Sequence, residues 1–338
     1  GTCHARRKTI SQVYLGKVRS RNLVDLSKPY MKKALICGVS GQDGAYLAQL
    51  LLAKGYQVWG TSRDAQVASF SNLDRLGIRS RINVLSMAQS DFRSVLNTLS
   101  RAEPDEVYFL SGQSSVGLSF DQPAESIESV VYGALNLLEA VRFIGAPVRI
   151  YHASSSECFG EVGLSDRANE LTPFRPRSPY GVAKASAHWL IANYREAYGL
   201  YCCNGILFNH ESPLRPARFV TRKIVSTACR ISAGSEERLL LGRLDIARDW
   251  GWSPDFVEAM WRMLQQDVPD DYLIATGQTH TLEAFVHRVF AQLGLNWQDH
   301  VDTDSSLYRP SEIVHSAGDP SKAREGLGWE ASVSFSGL

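Results

Sequence analysis

The chain has 338 residues, with 36 lysines and arginines against 35 aspartates and glutamates, and 44% of it is apolar. That balance offers no basic surface for nucleic acid, and no apolar stretch approaches the ~20 residues of a membrane span, so neither partner is expected. Cys3, Cys37, Cys158, Cys202, Cys203 and Cys229 show no C-x-x-C spacing, which points away from a disulfide framework or metal site and towards a reduced, cytoplasmic enzyme.

Residues 1–30 carry Arg6, Arg7, Lys8, Lys17, Arg19, Arg21 and Lys28 against Asp25 alone. They read as a leader foreign to the fold, artificial or translated from upstream, with a transit-like basic arm as the alternative. Met31 is the expected native start, and the chain after it is mildly acidic. Ala34-Leu35-Ile36-Cys37 is a short apolar run suited to a buried parallel strand, followed by Gly38-Val39-Ser40-Gly41-Gln42-Asp43-Gly44. Tyr46, Leu47, Leu50 and Leu51 then recur at helical spacing. Strand, glycine turn and helix in that order predict a dinucleotide cradle, in which Gly38, Gly41 and Gly44 let backbone amides approach a pyrophosphate at a positive helix N-terminus. The next strand, residues 57–61, ends without the acid that reads a ribose 2′-hydroxyl, and Arg63 follows. A guanidinium suits a 2′-phosphate, so NADP is expected over NAD; the alternative is a merely solvated Arg63 beside Asp64.

The alternation continues through strand 82–85, helix 91–101, strand 106–110, helix 126–143, strand 148–153, helix 178–198 and strand 203–207. This predicts an α/β fold, a Rossmann-type doubly wound parallel sheet. Shorter helical stretches at 220–233, 282–293 and 320–327 predict a smaller mixed α/β substrate-binding lobe over the sheet's carboxyl edge, with crossings back into the main sheet. The expected boundaries are 31–208 for the cofactor domain, with segments near 242–266 returning to it, and 209–241 plus 267–338 for the lobe. There is no internal repeat and no low-complexity tract.

In Ser178-Pro179-Tyr180-Gly181-Val182-Ala183-Lys184 the Tyr and Lys are four apart, so a helix puts both on one face. A neighbouring ammonium favours the phenolate, which makes Tyr180 a candidate base and the pair a signature of hydride transfer. The same spacing occurs on ordinary amphipathic helices. Context separates the two readings, because the strand at 148–153 runs into Ser154-Ser155-Ser156-Glu157, and ligands of doubly wound sheets bind beyond strand ends. Glu157 adds an acid/base carboxylate; its plainer reading is a solvated loop acid.

These segments resemble the extended short-chain dehydrogenase/reductases and, within them, the GDP-mannose 4,6-dehydratases, over about residues 32–329. The matching stretches also include Phe208-Asn209-His210-Glu211-Ser212-Pro213, Phe219-Val220-Thr221-Arg222-Lys223-Ile224, Arg248-Asp249-Trp250-Gly251 and Arg309-Pro310-Ser311-Glu312. The resemblance implies that GDP-mannose loses water to give a 4-keto-6-deoxy sugar, with Ser155, Glu157, Tyr180 and Lys184 catalytic. It implies NADP contacts from Gly38, Gly41, Gln42, Asp43 and Gly44, and from Arg63, Tyr180, Lys184 and His210. It implies substrate contacts from Ser114, Asn209, Val220 and Lys223, and from Arg248, Arg309 and Glu312, in a homodimer or homotetramer. Two phosphates call for convergent cations, although a lone Arg is more often a surface ion-pair partner.

Ser156 before Glu157 favours this branch over deoxythymidine-diphosphate-glucose dehydratases, which resemble it but carry an Asp-Glu pair there. Departures from the family are Asp64 after Arg63 in place of a second Arg, Ser86 and Gln89 in place of acids, Pro216 in place of a glycine, and an end at Leu338 that implies a truncated last helix. Two rival functions stand beside the dehydratase: an NADP-dependent sugar-nucleotide reductase or epimerase, which Glu157 disfavours, and a catalytically quiet NADP-binding regulator.

Overall fold

The structure, a computed structural model, describes residues 30–338, and the fold occupies Lys32–Leu338. The leader expectation for residues 1–30 lies outside the described residues except at Tyr30. The strands are β1 (Lys33–Cys37), β2 (Gln57–Ser62), β3 (Asn83–Ser86), β4 (Glu106–Phe109), β5 (Arg149–Ser155) and β6 (Cys202–Leu207), then β7 (Asn209–Glu211), β8 (Leu239–Leu241), β9 (Ala247–Trp252), β10 (Tyr272–Ile274), β11 (Thr279–Thr281) and β12 (Val301–Thr303). β1 is apolar and buried from Ala34 to Cys37 because both its faces are covered. Ala34 and Ile36 enter one core cluster, Leu35 and Cys37 the opposite one.

Seven strands form one sheet in the order β10-β6-β5-β4-β1-β2-β3, every adjacent pair parallel. The helices Gln42–Ala53 and Ser253–Leu264 cover one face through Leu47, Leu51, Phe256 and Met260. Phe92–Ala102, Gly133–Ile144 and Pro179–Tyr198 cover the other through Leu99, Leu137, Val141 and Ile191. Each such side chain contributes about 1.5–3 kcal/mol by leaving water. The helix that carries Tyr180 has its limits written locally: Ser178 accepts from the Gly181 N–H at 3.0 Å, Pro179 fills the first turn, and Gly199 closes the end at φ 66°.

Beyond the carboxyl edge of this sheet, β9 pairs with β11 antiparallel and with β7 parallel, and β8 pairs with β12. Ile224, Trp250, Phe285 and Phe290 form a separate core for this lobe.

The structure differs from the sequence reading in three places. The helix read at 126–143 is broken into Pro123–Ile127, a π-turn at Glu128–Tyr132, and Gly133–Ile144. The segment near 242–266 divides: Ser253–Leu264 packs on the main sheet, but β9 joins the lobe. Residues 267–338, read as lobe, return β10 and the helix Ser321–Leu327 to the main core, where Ala323 and Leu327 are buried. Three residues are too short for a periodicity signal. What fixes β10 is Asp271 before it, which takes two bonds from Arg195 at 2.8 and 2.9 Å and one from the Asn204 N–H at 2.7 Å.

Candidate active site

The glycine turn after β1 is shaped by close approach. A Cβ on Gly44 would stand 2.3 Å from the Gly38 carbonyl oxygen, so only glycine lets the helix Gln42–Ala53 sit this near the strand. Gly41 is the extended N-cap of that helix and no side chain caps it, which leaves the first amides for an anion. Beside the turn lies a cavity of about 1030 Å³ lined by Gly38, Gly41, Arg63, Gln89, Ser114 and Arg215, among others. It opens beyond the carboxyl ends of β1 and β4, where the strand order reverses, the position at which open α/β sheets bind ligands.

Arg63 lines this cavity with its side chain 84% exposed, and its Nη2 lies 3.2 Å from Glu125 Oε1. The departures around it brace the loop. Asp64 accepts from the Gln66 N–H at 2.9 Å, Ser86 from the Ala65 N–H at 2.9 Å, and Gln89 joins the Ser111 hydroxyl to the Ser129 carbonyl.

Gln42, Asp43 and His210 come together, mainly with one another and with Ser212 and Ser253. His210 donates through Nδ1 to the Phe208 carbonyl at 2.7 Å and through Nε2 to Asp43 at 2.9 Å, so both ring nitrogens carry protons. Burial pushes the Asp43 carboxyl up, but the charge and hydrogen bond of His210, with Arg215 and Ser253, outweigh it and hold the group well below the usual carboxylate range. Burial pushes His210 down, and Asp43 more than restores it, leaving the imidazole raised. Gln42 donates to the His210 carbonyl at 3.2 Å and accepts from Ser212 at 2.7 Å. The side chains of this trio thus staple the glycine turn to β7; Gln42 and Asp43 line the cavity and His210 does not.

The next strand end holds the candidate chemistry. β5 is buried from Ile150 to Ser155, and its last residue caps the turn Ser156–Cys158 by accepting from the Glu157 N–H at 3.3 Å. Tyr180 is buried against this turn. Burial raises its phenol, the Ser155 hydroxyl bonded to it draws it back, and the Glu157 charge raises it again. The sequence reading had Lys184 lowering the phenol. Here Nζ instead stands 5.8 Å from the Tyr180 ring centroid and donates to the Ala153 carbonyl at 2.8 Å, and burial decides both titrations, bringing Lys184 itself down to about 8. Behind them His188 meets the Ser154 hydroxyl at 3.2 Å and His152 meets Asn204 at 2.8 Å, both imidazoles pushed down by burial.

Glu157 is raised by burial, while Arg248 and then Arg309 pull it down and Glu312 pushes it up again. The last three form one cluster. Glu312 Oε1 accepts from Arg248 Nη2 at 3.0 Å and from Arg309 Nη1 at 3.2 Å, and Arg248 is almost wholly buried in β9. Asn209 opens β7 and pairs with Trp250, two residues on from Arg248. Val220 starts the helix Val220–Ser232, and the exposed Lys223 one turn later donates to the Leu240 carbonyl at 2.6 Å. Ser114 lies across the cavity mouth, 3.5 Å from Arg218 Nη2. The structure therefore gathers Ser155, Glu157 and Tyr180 beside Arg248, Arg309 and Glu312, gathers the glycine turn with Arg63 and Ser114, and leaves Lys223 on the lobe surface.

Sequence reasoning missed Glu125, Arg215 and Arg218, which also line the cavity. Arg215 lies 3.2 Å from Glu211 through Nε, yet that nitrogen is not aligned for a hydrogen bond. Its place two residues after Ser212-Pro213 was the signal available. Among the described residues no cluster of His, Cys, Asp and Glu could hold a metal ion, and no helix is long and apolar enough to cross a membrane.

Residues 35–338 match a family model described as GDP-mannose 4,6 dehydratase. The chain is 47% identical over 324 residues to GDP-mannose 4,6 dehydratase 1 of Arabidopsis thaliana, covering 93% of this chain and 89% of that one. It is 40% identical to GDP-mannose 4,6 dehydratase of Homo sapiens, covering 93% and 91%. Among solved structures it superposes on Thermus thermophilus UDP-glucose 4-epimerase in complex with NAD, at TM-score 0.79 and 26% identity, covering 90% and 95%.

Proposed function

The chain belongs to the GDP-mannose 4,6-dehydratase family, hydro-lyases that remove water from GDP-mannose, and from this premise we propose how its own residues divide the reaction. The observation that carries the reading is the meeting of the Tyr180 phenol, the Ser155 hydroxyl and the Glu157 carboxylate at one strand end, next to the Arg248–Glu312–Arg309 cluster.

The cofactor is a nicotinamide dinucleotide, NADP by preference. The residues fit it: the Gly44 approach leaves a cradle only glycine could form, the cavity has dinucleotide size, and Arg63 and Arg215 bring cations to its walls. Lys184 uses one ammonium proton on Ala153 and has two left for a ribose diol. Bound, the dinucleotide supplies a hydride acceptor that ends the cycle as it began, so the net reaction is a dehydration.

With a positive nicotinamide bound beside it, Tyr180 would give up the proton that burial holds on it and take that of the sugar C4 hydroxyl, while Ser155 donates to the same oxygen. The resulting 4-ketone acidifies the C5 hydrogen. Glu157 removes that proton, and its raised affinity for a proton suits it to pass one to the C6 hydroxyl, which leaves as water. The 4-keto-5-ene left behind would take the hydride at C6 and a solvent proton at C5, Tyr180 would release the C4 proton, Glu157 would end as the carboxylate it began as, and one water would be lost in all. Arg248 and Arg309 hold the diphosphate, with Glu312 accepting from a ribose hydroxyl and Ser114, Asn209 and Val220 completing the sugar-nucleotide contacts, which Lys223 joins by leaving the Leu240 carbonyl.

A homodimer or homotetramer is proposed on the exposed Tyr132, Trp189 and Tyr198 of neighbouring helices. A cytoplasmic location is proposed on the free cysteines Cys37, Cys158, Cys202, Cys203 and Cys229.

The test is incubation of the protein with GDP-mannose in deuterated water, read by mass spectrometry. Wild type should lose one water and take up deuterium. Glu157→Gln should still oxidise C4, seen as reduced nicotinamide, but release product about 10²–10⁴-fold more slowly. Net consumption of cofactor by wild type would favour the reductase, and unaltered sugar with cofactor bound would favour the regulator.

A further inference from the structure

Chains that read NAD place an acid after the second strand of the fold, where it accepts from the adenosine ribose 2′-hydroxyl. Here β2 ends in Thr61-Ser62, Arg63-Asp64 follow, and Asp64 is turned into its own loop, bonded to the Gln66 N–H at 2.9 Å. A carboxylate nevertheless arrives at this place from another element. Glu125, in the short helix Pro123–Ile127, lines the same cavity as Arg63 and meets its guanidinium at 3.2 Å across the gap. Arg63 engages only Oε1; among the described residues nothing bonds Glu125 Oε2.

We propose that Arg63 and Glu125 are a split reader of the adenosine ribose, so that the site takes NAD through Glu125 as well as NADP through Arg63. This rests on the nicotinamide reading of the cavity and goes beyond it by adding a second cofactor and a residue to select it. With NAD, the 2′-hydroxyl donates to Glu125 while Arg63 stays paired. With NADP, the 2′-phosphate takes the guanidinium, which can grip two of its oxygens, and Glu125 is displaced and repelled. The two carboxylate roles are opposite in sign: Glu125 stabilises bound NAD and competes with bound NADP. Removing its charge must therefore move the two affinities in opposite directions, which a residue that only braces the loop would not do.

The test uses the full chain freed of bound nucleotide and titrated calorimetrically with NADP and, separately, with NAD. Wild type is expected to bind both, NADP about tenfold more tightly, a difference of about 1.4 kcal/mol. Glu125→Gln should tighten NADP about three- to tenfold and weaken NAD by a similar factor, as expected for gain or loss of one charged contact. Arg63→Met should weaken NADP about tenfold or more and leave NAD within about twofold. An unchanged melting temperature shows that neither substitution acts through folding. If wild type binds NADP and fails to bind millimolar NAD, or if Glu125→Gln shifts both cofactors alike or neither, the split reader is overturned while the NADP reading stands. If wild type binds neither cofactor, both fall.

Discussion

Replacing Gly44 and Gly41 by alanine separates what the glycine turn does for the fold from what it does for the ligand. A Cβ on Gly44 would lie 2.3 Å from the Gly38 carbonyl oxygen and 2.8 Å from the Val39 Cα, both backbone atoms that cannot rotate away. Overpacking of this kind costs about 1–3 kcal/mol, and the upper end applies where backbone must move. Alanine in the first turn of a helix returns up to about 1 kcal/mol, so the net loss is about 2 kcal/mol. At about 2 °C per kcal/mol for a chain of this size, Gly44→Ala should lower Tm by about 4 °C and open the cradle. A Cβ on Gly41 meets only the Gly38 oxygen, at 3.4 Å, which is ordinary contact. Gly41→Ala should therefore keep Tm within about 1 °C and weaken cofactor at least about tenfold, because Gly41 lines the cavity and a methyl there takes up ligand space. Differential scanning calorimetry and cofactor titration of both variants provide the readout. A wild-type Tm for Gly44→Ala, or an equal fall for Gly41→Ala, would refute the reasoning.

Three further outcomes are expected. The Asp43–His210 tie should stabilise most between about pH 4 and pH 6.5, the unperturbed values of the two groups. Asp43, depressed, loses its contribution as pH falls through its folded value, and His210, raised, loses its own as pH rises through its folded value. The Tm gap between wild type and His210→Asn should thus be widest near pH 5–6 and narrow towards pH 9; a constant gap would count against the tie. Because Glu157 is raised, the acid limb of kcat/KM should lie above the usual carboxylate value of ~4.3, and Arg248→Gln, which removes the largest restraint on it, should move that limb higher still. An unmoved limb would mean that another group sets it. Finally, of the described cysteines only Cys229 should react quickly with iodoacetamide by mass spectrometry. Cys37, Cys158 and Cys202 are buried and raised to about 12; rapid labelling of any of them would contradict the packing of the main sheet.

Much of the fold is legible in the chain because its causes are local. The run Ala34–Cys37 is apolar because both faces of its strand are covered, and the limits of the helix Pro179–Tyr198 are written in Ser178, Pro179 and Gly199. The spacing of Tyr180 and Lys184 put them on one helix face, and Glu157 had to stand just beyond a strand. What only packing decided lies between residues far apart in the chain. Asp43 meets His210 across 167 positions, Arg63 meets Glu125 across 62, and Arg248 meets Glu312 across 64. Neither period nor turn chemistry encodes such pairs, since each charge reads alone as a surface residue until the fold brings its partner. β10 escaped notice because Asp271 holds its three residues from outside. The sequence likewise set Lys184 beside Tyr180, but burial, a property of the assembled core, left the phenol raised and the ammonium lowered.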